Sequence, residues 1–470
     1  MKIALMHYHL KPGGITTVIR QQLKAIGQDC ETLLITGEPP ENAWSADTVH
    51  IPGIAYTRLR KDNQTPEAVA DAIQQAIFAK WQSGCDILHV HNPLLKKNEQ
   101  FLNILKALQR NGLTLFLQIH DFAEDGRPDA YYSEAYPADC HYGVINSRDY
   151  QRLLRTGLCA RGLHRIYNTV KEIHAGGAPS AVPRNSVVYP IRAIRRKNIG
   201  EAILISLFFK NQSQLRITLP PNSLMDVNSY HGWQRFSAEQ HLPVEFDAGV
   251  TQDFSELISS ADFLISTSIS EGFGFSFLEP WTAGRCLWGR DLPEITIDFK
   301  TAGIQLDHLY PQLRVPISAD RKERLAFRWQ GCVALMSRRF GLLLDQHLAE
   351  TAFASMTRND LMDFGMMDES FQKEIIQQAL VDKIFKASLV SLNPFLADPG
   401  EVPDAADRIE KNRAVIQKEF GQTAYKDKLM RIYEKVRRET VVQHINKDML
   451  LESFLDLNHF SLLKWGDYEG

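Results

Sequence analysis

Two glutamates flank a glycine-containing turn in LISTSISEGFGFSFLEPWTAG, the segment that covers residues 264–284. Glu271 precedes the turn, and Glu279 follows after seven intervening residues. A strand is predicted to end before the turn and a helix to start near Gly274. A helix N-terminus binds anions because its first amides lack intrahelical partners and the helix dipole is positive there. The pattern therefore favours a diphosphate at the turn, flanked by the two carboxylates; the alternative is a chance pair of glutamates.

A run of positive charge forms the second candidate. The sequence YPIRAIRRKNIG, residues 189–200, follows a predicted strand directly and precedes a helix. Open parallel sheets bind ligands beyond the carboxyl ends of their strands, so residues in this position are functional candidates. The cations of this segment suit a phosphate ligand, although Arg195 and Arg196 are equally explained as a solvated charge run.

Further candidates follow strands in the N-terminal part. In HYHLKPGGITTVI, Gly13 and Gly14 separate a strand from an amphipathic helix, where glycine permits close backbone approach and positive φ. A plain tight connection explains them equally well. His120 ends another predicted strand and, when neutral, offers one donor and one acceptor to hydroxyl groups, although it would also serve as a strand-end cap. His89 and His91 alternate on one strand and either line a cleft or pack.

Short β-rich apolar runs alternate with helical stretches up to about residue 300, as expected of βαβ units on parallel sheets. The predicted strands are 2–7, 32–35, 86–90, 114–119 and 143–146 in a first unit and 186–189, 215–218, 244–246 and 262–266 in a second. The predicted helices are 15–26, 66–82, 97–111, 198–208, 252–260 and 274–283. Residues 175–185, AGGAPSAVPRN, are rich in Gly, Pro and small residues and predict a linker.

The remaining chain lacks obvious strand alternation. Residues 309–399 predict a mostly helical insertion with helices at 320–344 and 371–389. Residues 406–440 have a helix-favouring composition and an apolar stripe formed by Leu429, Ile432, Tyr433 and Val436. We expect an α/β fold with two Rossmann-like domains facing a cleft, at 1–174 and 186–440, the second carrying the helical insertion. A tail at 441–470 is expected to pack back on the first domain.

Composition limits the classes of function. The chain has 470 residues, of which 44% are hydrophobic and 23% charged, as in folded proteins with two large domains. Its 53 Lys plus Arg and 56 Asp plus Glu leave a net charge of -3, which argues against nucleic acid as a partner. The six scattered cysteines predict core thiols rather than a zinc or redox site. Neither a signal peptide nor a membrane span is predicted, so a cytoplasmic location is expected.

Known catalytic motifs narrow the possibilities further. The sequence has no H-E-x-x-H, P-loop, G-x-S-x-G or aspartate-x-aspartate motif, so a metal-dependent or serine-hydrolase mechanism lacks support. No G-x-G-x-x-G is present either, since Phe277 stands where the third glycine would be in the stretch that starts at Gly272. We therefore expect neither a metal nor a dinucleotide cofactor.

The stretch EGFGFSFLE closely resembles the paired-glutamate motif of retaining glycosyltransferases of the GT-B fold, the family 4-like group that includes glycogen and sucrose-phosphate synthases. The family usually continues with Ala-x-Ala-x-Gly-x-Pro, of which this chain keeps Gly284 but lacks the proline. Arg192 and Lys197 resemble, in position and spacing, the Arg and Lys with which this family holds the donor's phosphates. The resemblance covers residues 1–298 and returns at 412–440, whereas 309–399 departs from it.

Three other segments are similar to family sites. Gly13 and Gly14 resemble the first glycine-rich loop, and His120 resembles a histidine that contacts the donor sugar close to the reacting carbon. The stretch from Arg290 to Glu294 resembles a loop that carries an acidic residue near the nucleotide's sugar. These sites occur in the family's order and at the ends of predicted strands, which supports the resemblance more than any one of them does.

The resemblance implies a retaining glycosyltransferase that moves a hexose from a nucleoside diphosphate sugar to a hydroxyl acceptor, with the donor as co-substrate and no resident cofactor. Glu271 would contact the hexose and Glu279 the ribose, while the acceptor would enter from the first domain, near Gly13, Gly14 and His120. The expected diphosphate ligands are Arg192, Lys197 and the turn residues Gly272, Phe273, Gly274 and Phe275. We expect a small soluble acceptor or a sugar and leave the oligomeric state open. The alternatives are a GT-B epimerase or phosphorylase-like enzyme and a catalytically inactive binding protein.

Overall fold

The computed structural model describes residues 1–59, 64–173, 185–342 and 345–468. The chain forms two compact units, one built from Met1–Thr169 and Lys418–Leu455 and the other from Val170–Gln417 and Asp456–Gly470. Each unit contains its own parallel sheet, so the predicted α/β class with two Rossmann-like domains is confirmed. The predicted linker at 175–185 lies, apart from Asn185, outside the described residues.

The first unit is built on a parallel sheet with both faces covered. Its strands are β1 Lys2–His7, β2 Glu31–Thr36, β3 Asp47–His50, β4 Ile87–His91, β5 Leu115–Ile119, β6 His141–Val144 and β7 Leu163–Arg165. They pair in the order β3-β2-β1-β4-β5-β6-β7, so the order reverses between β1 and β4. Every residue of β4 and β5 is buried, including the polar His89, His91 and Gln118, as expected of central strands covered on both faces. A ligand crevice is expected at the reversal point, beyond the carboxyl ends of β1 and β4.

Helices connect these strands: α1 Gly14–Ile26, α2 Pro66–Lys80, α3 Phe101–Arg110 and α4 Ser147–Arg155. Two of them begin at capping side chains, because Thr65 accepts a hydrogen bond from the backbone N–H of Ala68 and Asn146 accepts one from Asp149. α1 instead follows Gly13 and has no capping side chain. Its N-terminus therefore lies next to the end of β1 without a side-chain acceptor on its first amides.

The second unit contains a five-stranded parallel sheet. Its strands are β8 Ser186–Arg192, β9 Gln214–Leu219, β10 Val244–Glu245, β11 Phe263–Ser266 and β12 Leu287–Gly289. The order is β10-β9-β8-β11-β12, which puts the reversal point between β8 and β11. The helices around it are α5 Ile199–Ser206, α6 Leu224–Glu239, α7 Ala248–Thr251, α8 Phe254–Ser260, α9 Glu279–Thr282 and α10 Pro293–Ala302.

The segment after α10 is mostly helical, as predicted, but it also contains an antiparallel strand pair that we did not predict. In chain order the elements are β13 Arg314–Pro316, α11 Ala319–Phe340, α12 Gln346–Met356, β14 Leu361–Asp363, α13 Glu369–Val381, α14 Lys383–Leu392 and α15 Ala405–Glu419. The single helix predicted at 371–389 is wrong. Two helices meet at Asp382, whose side chain caps α14 by accepting hydrogen bonds from the amides of Ile384 and Phe385.

The last elements are α16 Gln422–Arg438, α17 Lys447–Phe454 and α18 Leu462–Trp465. The helix-favouring segment at 406–440 thus forms two helices, α15 and α16. The predicted apolar stripe on α16 is buried and packs in the first unit's core with residues of β1 and α1. For this reason residues 418–440 belong to the first unit, whereas we expected the second domain to extend to residue 440.

The C-terminal tail also differs from the expectation for 441–470. Only the part up to Leu455 belongs to the first unit, and the part from Asp456 belongs to the second. There Trp329 of α11 donates its indole N–H to the Phe460 carbonyl at 3.0 Å, which links the end of the chain to the helical segment.

Several short strands, some helices and one cysteine also differ from the sequence predictions. The short strands β3, β7 and β12 were not predicted, and neither were the helices α4, α6, α7 and α10. Cys30, Cys140 and Cys332 are buried as expected, but Cys159 is exposed and is not a core thiol. No helix in the described ranges has both the length and the apolar character needed to cross a lipid bilayer.

Candidate functional site

The loop after β8 presents consecutive cations at the carboxyl edge of the second sheet. We call residues Arg195–Asn198 the cation loop; a 3-10 turn forms most of it, and the buried Asn198 ends it with a left-handed φ of 52°. The carbonyl of Lys197 accepts hydrogen bonds from the Tyr189 hydroxyl at 2.7 Å and from Thr267 Oγ1 at 3.3 Å. Because Tyr189 lies on β8 and Thr267 follows β11, the loop is anchored on both sides of the reversal point.

Lys197 and Glu271 form an ion pair, with Lys197 Nζ 2.5 Å from Glu271 Oε1. The two side chains are only 15% and 7% exposed. Burial lowers the pKa of Lys197, although the charge of Glu271 opposes that shift. Burial would raise the pKa of Glu271, but the positive charges of Lys197 and Arg196 hold it below its usual value. Glu271 is therefore a carboxylate at neutral pH.

Arg196 is the second cation beside Glu271. Its Nη1 donates to the Ser270 carbonyl at 3.1 Å, and its own carbonyl accepts the Ile269 N–H at 3.0 Å. The sequence pattern left Arg196 as one member of a solvated charge run, whereas the structure turns it toward the glutamate loop. Its neighbour Arg195 has a different partner, Glu369, with N–O distances of 2.6 and 2.8 Å. A charge run alone does not tell which of two adjacent arginines faces which carboxylate.

Arg192 is exposed at the carboxyl end of β8, and its guanidinium donates to the Pro220 carbonyl at 2.8 Å. It thus lies at the predicted edge of the sheet but outside the buried group formed by Lys197 and Glu271. A phosphate-binding role for Arg192 stays a prediction.

Glu279 is half-buried at the start of α9. Burial raises its pKa to about 7, against the attraction of Lys197. Both glutamates of the motif therefore act electrostatically on the same lysine. At neutral pH Glu279 is present in both its protonated and its ionised form. It can therefore donate a hydrogen bond to a hydroxyl group or accept one from it.

The turn between the two glutamates differs from the predicted helix at 274–283. A 3-10 turn at Phe275–Phe277 is followed by the short α9, because Pro280 lacks an N–H and its ring would clash with the carbonyl of Ser276 in a continuous helix. The predicted continuous helix is thus wrong, and one 3-10 turn does not sum peptide dipoles as a long helix does. Binding of a diphosphate by the backbone amides of this turn stays a prediction.

Gly274 is required by the fold of this turn. Its φ is 90°, and a Cβ would lie 2.9 Å from the Phe277 ring and 3.1 Å from Ile295. Phe273 is buried, with its ring centroid 5.0 Å from that of Phe275. Gly272 before it is half-buried. These aromatic contacts give the turn a packing role that the sequence motif did not reveal.

Glu294 is exposed in the first turn of α10. The nearby Asp291 is half-buried and accepts hydrogen bonds from Thr296 at 2.6 Å and from Lys300 at 2.7 Å. Any contact of Glu294 with a nucleotide remains a prediction.

In the first unit, histidines gather at the reversal point of the sheet. His91, at the end of β4, shares a hydrogen bond of 3.1 Å between its Nδ1 and His120 Nε2. His7, at the end of β1, donates from Nδ1 to the His91 carbonyl at 3.1 Å. Asn92 accepts the backbone N–H groups of both His120 and Asp121 on its side-chain oxygen, at 3.0 and 2.9 Å. These contacts hold the segment after β5 against the end of β4.

Burial keeps these histidines neutral. It lowers the pKa of His7 to about 3 and that of His120 to about 4, and it also lowers the pKa of His91. A neutral imidazole suits hydroxyl recognition, as the sequence analysis supposed for His120. His89, by contrast, packs: its Nε2 donates to Gln118 Oε1 at 2.9 Å, and its Nδ1 lies 2.8 Å from the Tyr433 hydroxyl.

Gly13 and Gly14, which lie between β1 and α1, do not have the positive φ that the sequence pattern allowed for. Gly13 is extended, with φ of 172°, and Gly14 starts α1, so neither adopts a positive φ. A Cβ on Gly14 would meet no atom within 4 Å, and one on Gly13 would meet only the Lys11 carbonyl, at 3.9 Å. Space is therefore open beside the start of α1, which fits either a close ligand or a plain connection.

Two groups of predicted residues are thus defined, each within one unit. Lys197, Glu271 and Glu279 come together in the second unit, and Arg196 joins them. His120 lies in the first unit, as do Gly13 and Gly14. Within the described residues, no group of three or more His, Cys, Asp and Glu side chains is arranged to hold a metal ion. Buried cations beside two carboxylates can bind a ligand that carries both phosphates and hydroxyl groups.

Comparisons with known proteins agree with this architecture. No model of a known protein family matches the chain. Mannosylglucosyl-3-phosphoglycerate synthase from Petrotoga mobilis is 23% identical to it over 512 aligned positions, which cover 98% of each chain. Sucrose-phosphate synthase from Thermosynechococcus elongatus has a similar structure, with a TM-score of 0.53 and 14% identity over 92% of this chain and 98% of the other.

A third similar protein is Alr3699/HepE from Anabaena, solved in complex with UDP-glucose. Its TM-score is 0.51, with 13% identity over 92% of this chain and 99% of the other. Identities this low show the fold alone. The fold is GT-B, as the sequence analysis predicted.

Proposed function

We propose that this protein is a retaining glycosyltransferase that moves a hexose from a nucleoside diphosphate sugar to a hydroxyl acceptor. The observation that carries the proposal is the buried Lys197–Glu271 ion pair beside the reversal point of the second sheet. A lysine held next to two carboxylates suits a ligand with a diphosphate on one side and sugar hydroxyls on the other. The names of the three similar proteins, two synthases of phosphorylated glycosides and one binder of UDP-glucose, support the same reaction class.

Each residue has a role in this proposal. Lys197 and Arg192 neutralise the negative charge that grows on the diphosphate as the bond to the sugar breaks. Arg196 adds a third positive charge beside the diphosphate. Glu271 accepts hydrogen bonds from the hexose, and Glu279 does so from the ribose. In the first unit, neutral His120 binds a hydroxyl of the transferred sugar or of the acceptor.

For retention we propose attack from the face that the diphosphate leaves. The acceptor oxygen forms its bond to the anomeric carbon while the bond from that carbon to the phosphate oxygen breaks. The departing diphosphate takes the acceptor's proton, so no protein nucleophile is needed. Glu271 fits a binding role better than a nucleophilic one, because its oxygen already accepts a hydrogen bond from Lys197.

The acceptor is proposed to carry an acidic group, such as a phosphoglycerate glycoside. One support is the name of the Petrotoga relative, which contains 3-phosphoglycerate. A second is the presence of cations in the loops that follow β4 and β5, namely Lys97 and Arg127, of which Arg127 pairs with Asp121 at 2.9 Å. Burial lowers the pKa of Lys97, and the charges of Arg127 and Arg58 lower it further, so the three cations act on one another electrostatically.

A donor screen tests the proposal. UDP-, GDP- and ADP-sugars are added in turn to the purified full-length protein, and thermal stabilisation identifies any donor that binds. Mass analysis then follows the hexose into products with 3-phosphoglycerate, glucose and a glucosyl phosphoglycerate as acceptors. We expect one nucleotide to raise the melting temperature and one acceptor to gain a hexose with its anomeric configuration kept.

The same screen separates the alternatives. An epimerase or a phosphorylase-like enzyme would change the sugar or need inorganic phosphate, and it would form no new glycoside. An inactive binding protein would bind a donor without turnover. Inversion at the anomeric carbon would refute the proposed mechanism but not the transfer reaction.

A further inference from the structure

The helical segment from α11 to α14 contacts the cation loop at its base. Glu369, the first residue of α13, forms the bidentate ion pair with Arg195. The two side chains are 9% and 2% exposed, so the pair is buried. Ser229 of α6 donates a further hydrogen bond to Glu369 at 2.7 Å. One end of α13 is thus bonded to the first residue of the cation loop.

One turn further along α13, Gln372 reaches the last residue of the loop. Its side-chain N–H group donates to Asn198 Oδ1 at 2.9 Å and to the Phe364 carbonyl at 3.1 Å. Gln372 and Asn198 are both buried. Asn198 has a left-handed backbone, which asparagine adopts more readily than most residues, and the contact with Gln372 fixes its side chain in that position.

A buried ionic network provides a second connection to the same residue. Asn198 Nδ2 donates to Glu201 at 2.8 Å, and Arg290 donates to Glu201 at 2.9 Å through Nε. Arg290 also donates to both oxygens of Asp363 on β14, each at 2.7 Å. The strand pair of the helical segment is therefore linked to the cation loop through Arg290 and Glu201.

Charge explains why the loop needs such support. Its three consecutive cations repel one another in a single turn, and that repulsion is strong where water is excluded. Glu369 neutralises Arg195, and Glu271 neutralises Lys197, at opposite sides of the loop. The first pair lies at the base of the loop, while the second belongs to the candidate site.

We propose that α13 is a brace that holds the cation loop in the position where Lys197 and Arg196 meet a diphosphate. Glu369 and Gln372 are positioning residues in this view, since they act through Arg195 and Asn198. The sequence of the helical segment departs from that of the family which the chain resembles. In this view the segment positions the residues that bind the diphosphate. The effect of α13 on ligand binding rests on the proposed function, whereas its effect on the position of the cation loop does not.

The test uses Glu369→Gln and Gln372→Met in the full chain. Each removes one contact to the cation loop and keeps the approximate volume of the side chain. Glu374→Gln is the matched control, because it lies on the same helix but pairs with Arg324 at 2.8 Å on the outer side, where it is 33% exposed. Amide hydrogen exchange of peptides that cover residues 193–200 is measured without ligand. Affinity is then measured for UDP, GDP and ADP and for the matching nucleosides.

We expect faster exchange at 193–200 in both variants and wild-type exchange in the control and in the first unit. The affinity for the preferred nucleoside diphosphate should fall roughly ten- to a hundredfold, since misplacing a binding group by about an ångström costs that much. The affinity for the nucleoside should stay within about twofold, because the nucleoside makes no contact through phosphate. General unfolding would weaken both ligands equally.

Unchanged exchange at 193–200 in both variants would overturn the brace whatever the wild type binds. An equal loss of nucleoside and diphosphate affinity would overturn it too, since the effect would then be one on overall stability. If exchange rises but the wild type binds no nucleoside diphosphate, the proposed function fails while the brace is supported as a holder of the loop.

Discussion

Lys197 and Glu271, 74 residues apart in the chain, are joined by a buried ion pair of 2.5 Å. The lysine of the site is therefore neutralised before any ligand arrives. An incoming diphosphate has to share Lys197 with a carboxylate that keeps its charge at neutral pH. The pair holds the ammonium group in place and limits the positive charge that the second unit has to desolvate.

Removing the lysine tests its proposed role on the leaving group. Lys197→Met should lower kcat/KM for transfer by roughly a hundred- to a thousandfold, as loss of one preorganised charge-stabilising group does. Glu271 would also lose its partner, which costs about 3–5 kcal/mol when a buried pair is broken.

The control is Lys210→Met, which removes an exposed lysine paired with Asp398. The double variant Lys197→Met with Glu271→Gln should recover melting temperature but not activity. Wild-type kcat/KM in a folded Lys197→Met protein would remove this lysine from the site.

Substitution of Glu271 and substitution of Glu279 should impair different steps of the reaction. Glu271→Gln should lower kcat more than it weakens nucleotide binding, because the hexose it contacts changes charge in the transition state. Glu279→Gln should mainly raise the Kd for the nucleoside diphosphate, because it loses a ribose contact. Calorimetric binding and initial rates measure the two quantities separately. Equal nucleotide affinity in both variants and the wild type would contradict this division.

The raised pKa of Glu279 predicts a specific pH dependence. With a folded pKa of about 7 and an ordinary value of 4.5, the folded protein retains a proton between these pH values that the unfolded chain releases. The free energy of unfolding should therefore fall as pH rises from about 4.5 to about 7 on account of this group. In Glu279→Gln that contribution disappears, so melting curves at pH 5 and pH 8 should differ from the wild type mainly at pH 8. Parallel curves for both proteins would show that Glu279 titrates normally.

The buried histidines predict the opposite dependence in the first unit. The pKa of His89 is lowered by burial to about 3, from an ordinary value of 6.5. For a group of this kind the stabilisation is complete above pH 6.5 and is lost as pH falls, by up to about 1.4 kcal/mol per pH unit for each histidine. His89→Gln should therefore flatten the fall in melting temperature between pH 6.5 and pH 5, whatever its effect on stability at pH 7. A slope as steep in His89→Gln as in the wild type would argue against a neutral His89.

Arg192 offers a test that separates binding from stability. Because its side chain is exposed and donates to a single carbonyl, Arg192→Gln should leave the melting temperature unchanged. If it holds the donor's phosphate, affinity for the nucleoside diphosphate should fall roughly tenfold, the value of one charge-assisted hydrogen bond. Arg358→Gln, also exposed, is the control. Unchanged affinity would leave Arg196 as the arginine of the site.

The sequence predictions were most accurate for features that depend on a single helix or strand. β1 and β8 begin at the predicted residues, and the apolar stripe of α16 is buried, because burial on a fixed face imposes a period on the sequence. Lys197 and Glu271 were expected at strand ends, and the parallel order of β8 and β11 brings those ends together. Pro280 was a local signal against the helix at 274–283 that the glycine pattern obscured.

The sequence by itself thus determined the alternation of elements, the two sheets and the strand ends at which charged residues collect. Only the tertiary structure decided that Arg195 pairs with Glu369, 174 residues away, while the adjacent Arg196 turns toward Ser270. It also decided that α16 completes the first unit and that α13 braces the cation loop. The reason is physical: hydrophobic period depends on a residue's neighbours along the chain, whereas the partner of a buried charge depends on which distant element packs close enough to neutralise it.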